Sequence, residues 1–205
     1  MPSTPKGRGP VRGEQVRIIG GEWRSRRLRF PPARDLRPTP DRVRETLFNW
    51  LGQSVPGWRV IDLFAGSGVL GLEALSRGAA WVGFVERSAR VSRALEGNLD
   101  RLAVPPERFS VWTMNARQWL TAVPESIDAP VDLVFLDPPF RQPELLQEAL
   151  DALGAASWLA GDARVFVEGA ELESLRLPDG FTVSRETRAG DSRSFLLVRE
   201  SAESG

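Results

Sequence analysis

Val60-Ile61-Asp62-Leu63-Phe64-Ala65-Gly66-Ser67-Gly68-Val69-Leu70-Gly71 is the stretch on which the fold turns. Val60 to Phe64 is an apolar run broken by one acid, which predicts a buried strand. Gly66 to Gly68 reads as a tight loop, and Val69 to Ser76 as a helix that stops at Gly78. The G-x-G-x-x-G spacing between strand and helix lets backbone come close to a ligand. Twenty residues after Gly66, Glu86 ends the next apolar run, Trp81 to Val85. An acid there can accept bonds from both hydroxyls of a ribose. Together these features predict a nucleoside-type cofactor.

Asp62 narrows the choice. A dinucleotide places a pyrophosphate at this loop, where another carboxylate has little use. S-adenosylmethionine carries an ammonium and a sulfonium, and a nearby carboxylate favours both. The expected cofactor residues here are Asp62, Phe64, Gly66, Ser67, Gly68 and Glu86. A competing role for Asp62 is to brace the loop through backbone amides.

The pattern continues outward in both directions. Ser88 can cap a helix through Val91, Leu95 and Leu99. Phe109 to Met114 and Val131 to Leu136 read as strands, followed by a helix opened by Pro143 and a strand from Arg164 to Val167. Phe181 to Glu186 and Ser194 to Val198 read as a closing hairpin that places one antiparallel strand at the sheet edge. Strands alternating with helices predict an α/β protein with a mostly parallel sheet covered on both faces. Towards the N-terminus, Thr39 can cap a helix with Pro40 at its first position, and Val43, Leu47, Trp50 and Leu51 share one face. Before it, Val16 to Ile19 and Trp23 to Phe30 flank Gly20-Gly21 as a basic β-hairpin.

The strand from Val131 runs into Asp137-Pro138-Pro139-Phe140. Two prolines cannot continue a ladder, and they hold Asp137 out of helical geometry. Neither has an amide hydrogen, so their carbonyls are acceptors without competing donors. An acid beside such a carbonyl suits a planar NH2 group, and Phe140 offers a ring on which a base can stack. The turn predicts methylation of an exocyclic amine on a nucleobase, with Asp137, Pro138, Pro139 and Phe140 as its residues.

Composition removes most other chemistry. The 205-residue chain has no His, Cys or Tyr. That excludes a Ser-His-Asp triad, a Cys-His pair, His-ligated zinc and an imidazole base. No metal is expected. The formal net charge is zero, but residues 1–47 hold twelve basic residues against five acids, and the remainder holds fifteen against twenty-two. A basic arm on an acidic body points to a nucleic-acid partner. Lys6 is the only lysine, so the positive charge is almost all guanidinium, suited to phosphate contact. Arg17, Trp23, Arg24, Arg26, Arg27 and Arg29 are the expected RNA-facing residues, with packing on the body as the equal alternative for Trp23. No apolar run is long enough to span a membrane, and no signal segment is visible, so the cytoplasm is the expected location.

Arg17-Ile18-Ile19-Gly20-Gly21-Glu22-Trp23-Arg24 and Leu36-Arg37-Pro38-Thr39-Pro40-Asp41-Arg42-Val43-Arg44-Glu45-Thr46-Leu47-Phe48-Asn49-Trp50-Leu51, with the glycine loop and the D-P-P-F turn, resemble the RsmD family. The resemblance runs from about Arg17 to Glu200. It implies a Rossmann-like class I methyltransferase fold with a seven-stranded sheet, S-adenosylmethionine as methyl donor, and a monomer. The implied reaction is methylation of N2 of one guanine (position 966) of 16S ribosomal RNA in the small subunit. It also implies that Thr39 and Arg42 lie near the cofactor's carboxylate, and that Asn115 and Ala116 lie at its adenine side. Many class I enzymes have Asp where this chain has Asn115. The implied organisation is a disordered basic tail at 1–15, an RNA-facing hairpin and linker at 16–38, the methyltransferase domain at 39–200 and a tail at 201–205. The amine-binding turn alone also allows adenine N6 as the target. A nicotinamide-dependent oxidoreductase and a non-catalytic RNA-binding assembly factor are the competing classes.

Overall fold

The computed structural model describes residues 14–32, 38–122, 127–138, 143–169, 175–189 and 192–200. Strands β1 (Glu14–Arg17) and β2 (Arg27–Phe30) pair antiparallel. Helix α1 (Asp41–Trp50) follows, then β3 (Arg59–Asp62), α2 (Val69–Ser76), β4 (Trp81–Val85), α3 (Ala89–Arg101), β5 (Phe109–Trp112), α4 (Ala116–Ala122) and β6 (Val131–Leu136). The chain continues through α5 (Pro143–Gly154), β7 (Leu159–Gly169), β8 (Phe181–Ala189) and β9 (Ser192–Arg199).

The main sheet has seven strands in the order β5-β4-β3-β6-β7-β9-β8. Strands β3 to β7 are mutually parallel, and β9 is antiparallel to both of its neighbours. The antiparallel strand is therefore not at the edge, as the sequence pattern suggested, but one place in. The reason is polarity. Strand β9 carries Phe195, Leu196, Leu197 and Val198 and takes the covered position, while β8, with Thr182, Ser184, Arg185 and Glu186 exposed, takes the edge. A charged edge resists pairing with another chain.

Side chains alternate across the sheet, so each strand feeds two cores. Val60, Leu133, Phe135 and Phe166 join the core under α1, α2 and α3. Ile61, Val134, Leu136 and Val165 join the core under α4 and α5. The short α4 escaped the sequence reading. Strand β7 begins five residues before the expected Arg164.

The N-terminal hairpin is docked, not detached. Ile18, Trp23 and Leu28 belong to the same core as α1 and α2. Its first strand lies two residues earlier than expected and its second is shorter, because Gly20 and Gly21 do not form a two-residue turn. They press against α2: a Cβ on Gly21 (φ +73°) would lie 1.9 Å from the Ser76 carbonyl oxygen. Glu22 N–H donates to that same carbonyl, and Trp23 N–H donates to Ser76 Oγ. Asn98 on α3 completes the docking like a neighbouring strand, accepting from Arg29 N–H and donating to the Arg29 carbonyl.

Candidate active site

The chain runs outward from β3 to β4 and β5, then returns to place β6 on the other side of β3. The carboxyl ends of β3 and β6 therefore form the point where strand order reverses, which is where open α/β sheets bind ligands. In register, Asp62 pairs with Phe135, two residues before Asp137. Tertiary structure thus brings the two sharpest sequence features side by side.

Asp62 ends β3 and is 2% exposed. Its Oδ2 accepts the Gly71 amide at 3.1 Å, so the bracing role weighed against cofactor attraction is present. Burial pushes the carboxyl up to about 7, and the neighbouring charges of Asp137 and Glu86 push the same way. Gly66 (φ +51°) and Gly68 (φ +74°) adopt left-handed backbone, which glycine does without steric cost. A Cβ on Gly71 would meet the Phe84 ring at 2.3 Å, so this glycine lets α2 lie close on the sheet. Ser67 is buried, and Phe64 packs partly buried against the core under α4 and α5.

Glu86 clamps the loop. Its Oε2 accepts the Gly66 amide at 3.0 Å and its Oε1 accepts the Ser88 amide at 2.6 Å. Ser88 precedes α3 but makes no side-chain cap bond, contrary to the sequence expectation.

Asp137 is half-buried, followed by the buried Pro138. Thr39 Oγ1 donates to Asp137 Oδ2 at 3.0 Å. Burial raises the Asp137 carboxyl to about 6, against the lowering effect of the Thr39 bond. Thr39 was expected to cap α1, but the cap position is Pro40 and no side chain caps the helix. Thr39 stands one residue before the cap position, and its hydroxyl donates to Asp137. Arg42 is exposed on the first turn of α1. Pro139 and Phe140 lie outside the described residues.

Asn115 stands at the carboxyl end of β5. Its Oδ1 accepts the Gln118 amide at 2.9 Å, an N-cap for α4. Ala116 is buried behind it. Of the RNA-facing set, Arg24, Arg26, Arg27 and Arg29 are exposed. Arg17 is exposed and paired with Asp41 at 2.8 Å. Of the two readings of Trp23 the structure shows packing on the body, which overturns its RNA-facing placement: the side chain is buried in the core, where a base does not reach it.

Glu73 was missed. It is fully buried on α2 and accepts four bonds, from Ile19 N–H, Gly20 N–H, Arg44 Nη1 and Arg77 Nε. A lone acid inside the apolar Val69-Leu70-Gly71-Leu72-Glu73-Ala74-Leu75 was the available signal, because such residues are almost never buried unpaired.

The donor set fits S-adenosylmethionine. Three carboxylates (Asp62, Glu86 and Asp137) surround a loop of left-handed glycines, an arrangement that attracts a cationic ligand and repels a pyrophosphate. The sheet order and this switch point define a class I S-adenosylmethionine-dependent methyltransferase. The family model described as "Conserved hypothetical protein 95" matches residues 16–198, and the chain belongs to this family, the RsmD family. Ribosomal RNA small subunit methyltransferase D of Escherichia coli (strain K12) is 43% identical over 187 residues, covering 91% of each chain. The protein of that name from Haemophilus influenzae is 39% identical, covering 91% of this chain and 93% of its own. The solved structure of yhhF from Escherichia coli superposes with a TM-score of 0.80 at 41% identity, covering 92% of this chain and 99% of that one.

Proposed function

We propose that this protein transfers a methyl group from S-adenosylmethionine to the N2 amine of a guanine in 16S ribosomal RNA of the small subunit. The observation that carries the reading is Asp137, a half-buried acid followed by Pro138 at the β3–β6 switch point, in a chain 43% identical to a small-subunit rRNA methyltransferase. Bound S-adenosylmethionine supplies a methyl group on a sulfonium, which leaves as a neutral thioether.

The rest falls to the chain's own residues. The glycine loop admits the ligand against backbone. Each Glu86 oxygen already accepts one amide but keeps a second lone pair, sufficient for a ribose hydroxyl. Asp62 supplies negative charge beside the ligand's ammonium. Asn115 and Ala116 border the adenine side, with Arg42 at the opposite end. Asp137 and the Pro138 carbonyl accept the two hydrogens of the substrate amine. That turns the nitrogen lone pair towards the methyl and stabilises charge developing on nitrogen. Phe140 stacks the extruded base. With the methyl donor bound, the new N–CH3 bond would form at the expense of its S–CH3 bond, whose electron pair would stay with sulfur. The amine then sheds one proton, which Asp137 is placed to accept. Catalysis is mainly positioning.

Arg24, Arg26, Arg27 and Arg29 track phosphates, and the protein acts as a cytoplasmic monomer on the small subunit. Nucleoside mass spectrometry tests the reading. Purified protein is incubated with S-adenosylmethionine and small subunits lacking the modification, naked 16S rRNA, or DNA. N2-methylguanosine from the subunits is the expected product. N6-methyladenine, or no methylated nucleoside, overturns the assignment.

A further inference from the structure

Thr39 and Asp137 are ninety-eight positions apart, and their contact is held from behind by a built framework. The Thr39 carbonyl accepts Arg44 Nε at 3.1 Å. Pro40's carbonyl accepts the amides of Val43 and Arg44, which sets the entry into α1. Arg44 is in turn fixed by Asp41 and by the buried Glu73. Thr39 is itself 4% exposed, so its hydroxyl has little freedom to turn elsewhere.

A carboxylate held at one oxygen by a fixed donor presents its other oxygen in one direction. We infer that Thr39 is a positioning residue for the methyl transfer: it holds Asp137 Oδ2 and so aims Oδ1 at the substrate amine. This rests on the reading of Asp137 as the amine acceptor. It also reassigns Thr39, which the family resemblance placed at the cofactor's carboxylate.

The bond has an electrostatic consequence. A hydroxyl donating to a carboxylate favours the charged form. Asp62 on β3 is an acid whose charge acts on that of Asp137 and adds negative charge to the site, and Glu86 beyond β4 is the other acidic neighbour of Asp62. Burial acts against the charged form too, and the Thr39 bond opposes it. Without the hydroxyl, Asp137 holds a proton to higher pH, and the neutral carboxyl accepts the amine's hydrogen more weakly than the carboxylate does.

Three variants decide the matter: Thr39→Val, which keeps the shape and loses the hydroxyl; Thr39→Ser, which keeps the hydroxyl; and Asp137→Asn. Each is assayed for kcat and KM on small subunits across pH, and for S-adenosylhomocysteine affinity by calorimetry. Thr39→Val is expected to lower kcat about tenfold or more and to move the acid limb of the kcat profile to higher pH. Its S-adenosylhomocysteine affinity is expected to stay near the parent's, which also verifies folding. Thr39→Ser is expected to restore both kcat and the limb. Unchanged kcat and pH profile in Thr39→Val overturn the inference. So does weakened cofactor affinity with saturating kcat and limb unmoved, which would return Thr39 to the cofactor. Failure of Thr39→Ser to restore the limb overturns it as well. If Asp137→Asn is as active as the parent, the Asp137 reading itself is wrong. If that variant is inactive while Thr39→Val is normal, only the Thr39 inference fails.

Discussion

Arg44 Nη1 donates to Glu73 Oε2 across 3.0 Å, and both side chains are sealed from solvent. Glu73 also holds the Ile19 and Gly20 amides and Arg77. One carboxylate on the helix after the glycine loop therefore fastens the N-terminal hairpin, α1 and α2 together. The same Arg44 supports Thr39 behind Asp137. The N-terminal hairpin and the candidate reaction centre share a buried anchor.

Removing that anchor leaves a buried guanidinium and two amides without their partner. Glu73→Ala is expected to cost about 3–5 kcal/mol, the range for breaking a buried ion pair. Urea unfolding followed by circular dichroism measures it. A loss under about 1 kcal/mol would place this pair with solvent-exposed ones in energetic terms.

The hairpin's role in RNA binding must be tested without removing it. Deleting residues 1–30 takes Ile18, Trp23 and Leu28 out of the core and is expected to unfold the protein. Replacing Arg24, Arg26, Arg27 and Arg29 with Ala keeps the packing. Every phosphate that an arginine no longer neutralises lowers the log–log salt slope of RNA binding by about 0.7–0.9. Filter binding between low and moderate salt reads this, and a slope equal to the parent's refutes the arginine–phosphate pairing.

Asp62 ties cofactor binding to pH. Its carboxyl sits at about 7 in the free protein. A ligand with an ammonium group favours the ionised form, so binding expels a proton whenever Asp62 begins protonated. S-adenosylhomocysteine affinity is expected to weaken as pH falls from 8 to 6. Calorimetry in buffers of different ionisation enthalpy should show proton release near pH 6.5 and little at pH 8.5.

Asp137 is expected to cost stability for the sake of function. Its folded carboxyl, at about 6, lies above the ordinary 3.8. The stability tied to its neutral form is fully present below pH 3.8 and is lost as pH rises through 6. Asp137→Asn escapes that loss. At pH 8 it is expected to be more stable than the parent by on the order of 2 kcal/mol, a Tm gain of several degrees. The gain should fade towards pH 4. A variant less stable at every pH would show that the charge is well compensated.

Glu86→Ala frees the Gly66 and Ser88 amides and removes the ribose acceptor. S-adenosylhomocysteine affinity should fall about tenfold or more, the worth of one charge-assisted hydrogen bond. Asp137→Ala should leave that affinity nearly intact while lowering turnover by orders of magnitude. Equal affinity in Glu86→Ala and parent, measured by calorimetry, would remove Glu86 from the cofactor site.

What the sequence determined by itself was local. The apolar run of β6, the glycine loop after β3, and Glu86 at the end of β4 are patterns within a few residues, set by backbone sterics and side-chain period. So were the left-handed glycines and the amide-free prolines. Which arm of the closing hairpin enters the sheet was written in the polarity of β8 against β9, but needed the sheet to give it meaning. Asn115 carried a cap signal that would have revealed α4. Tertiary structure alone decided the pairs distant in sequence: Thr39 with Asp137, Glu73 with Gly20, Asn98 with Arg29. Each joins a polar side chain to a partner fifty or more positions away. No periodicity marks such a meeting, because its partner is chosen by where the folded sheet and helices bring the chain back.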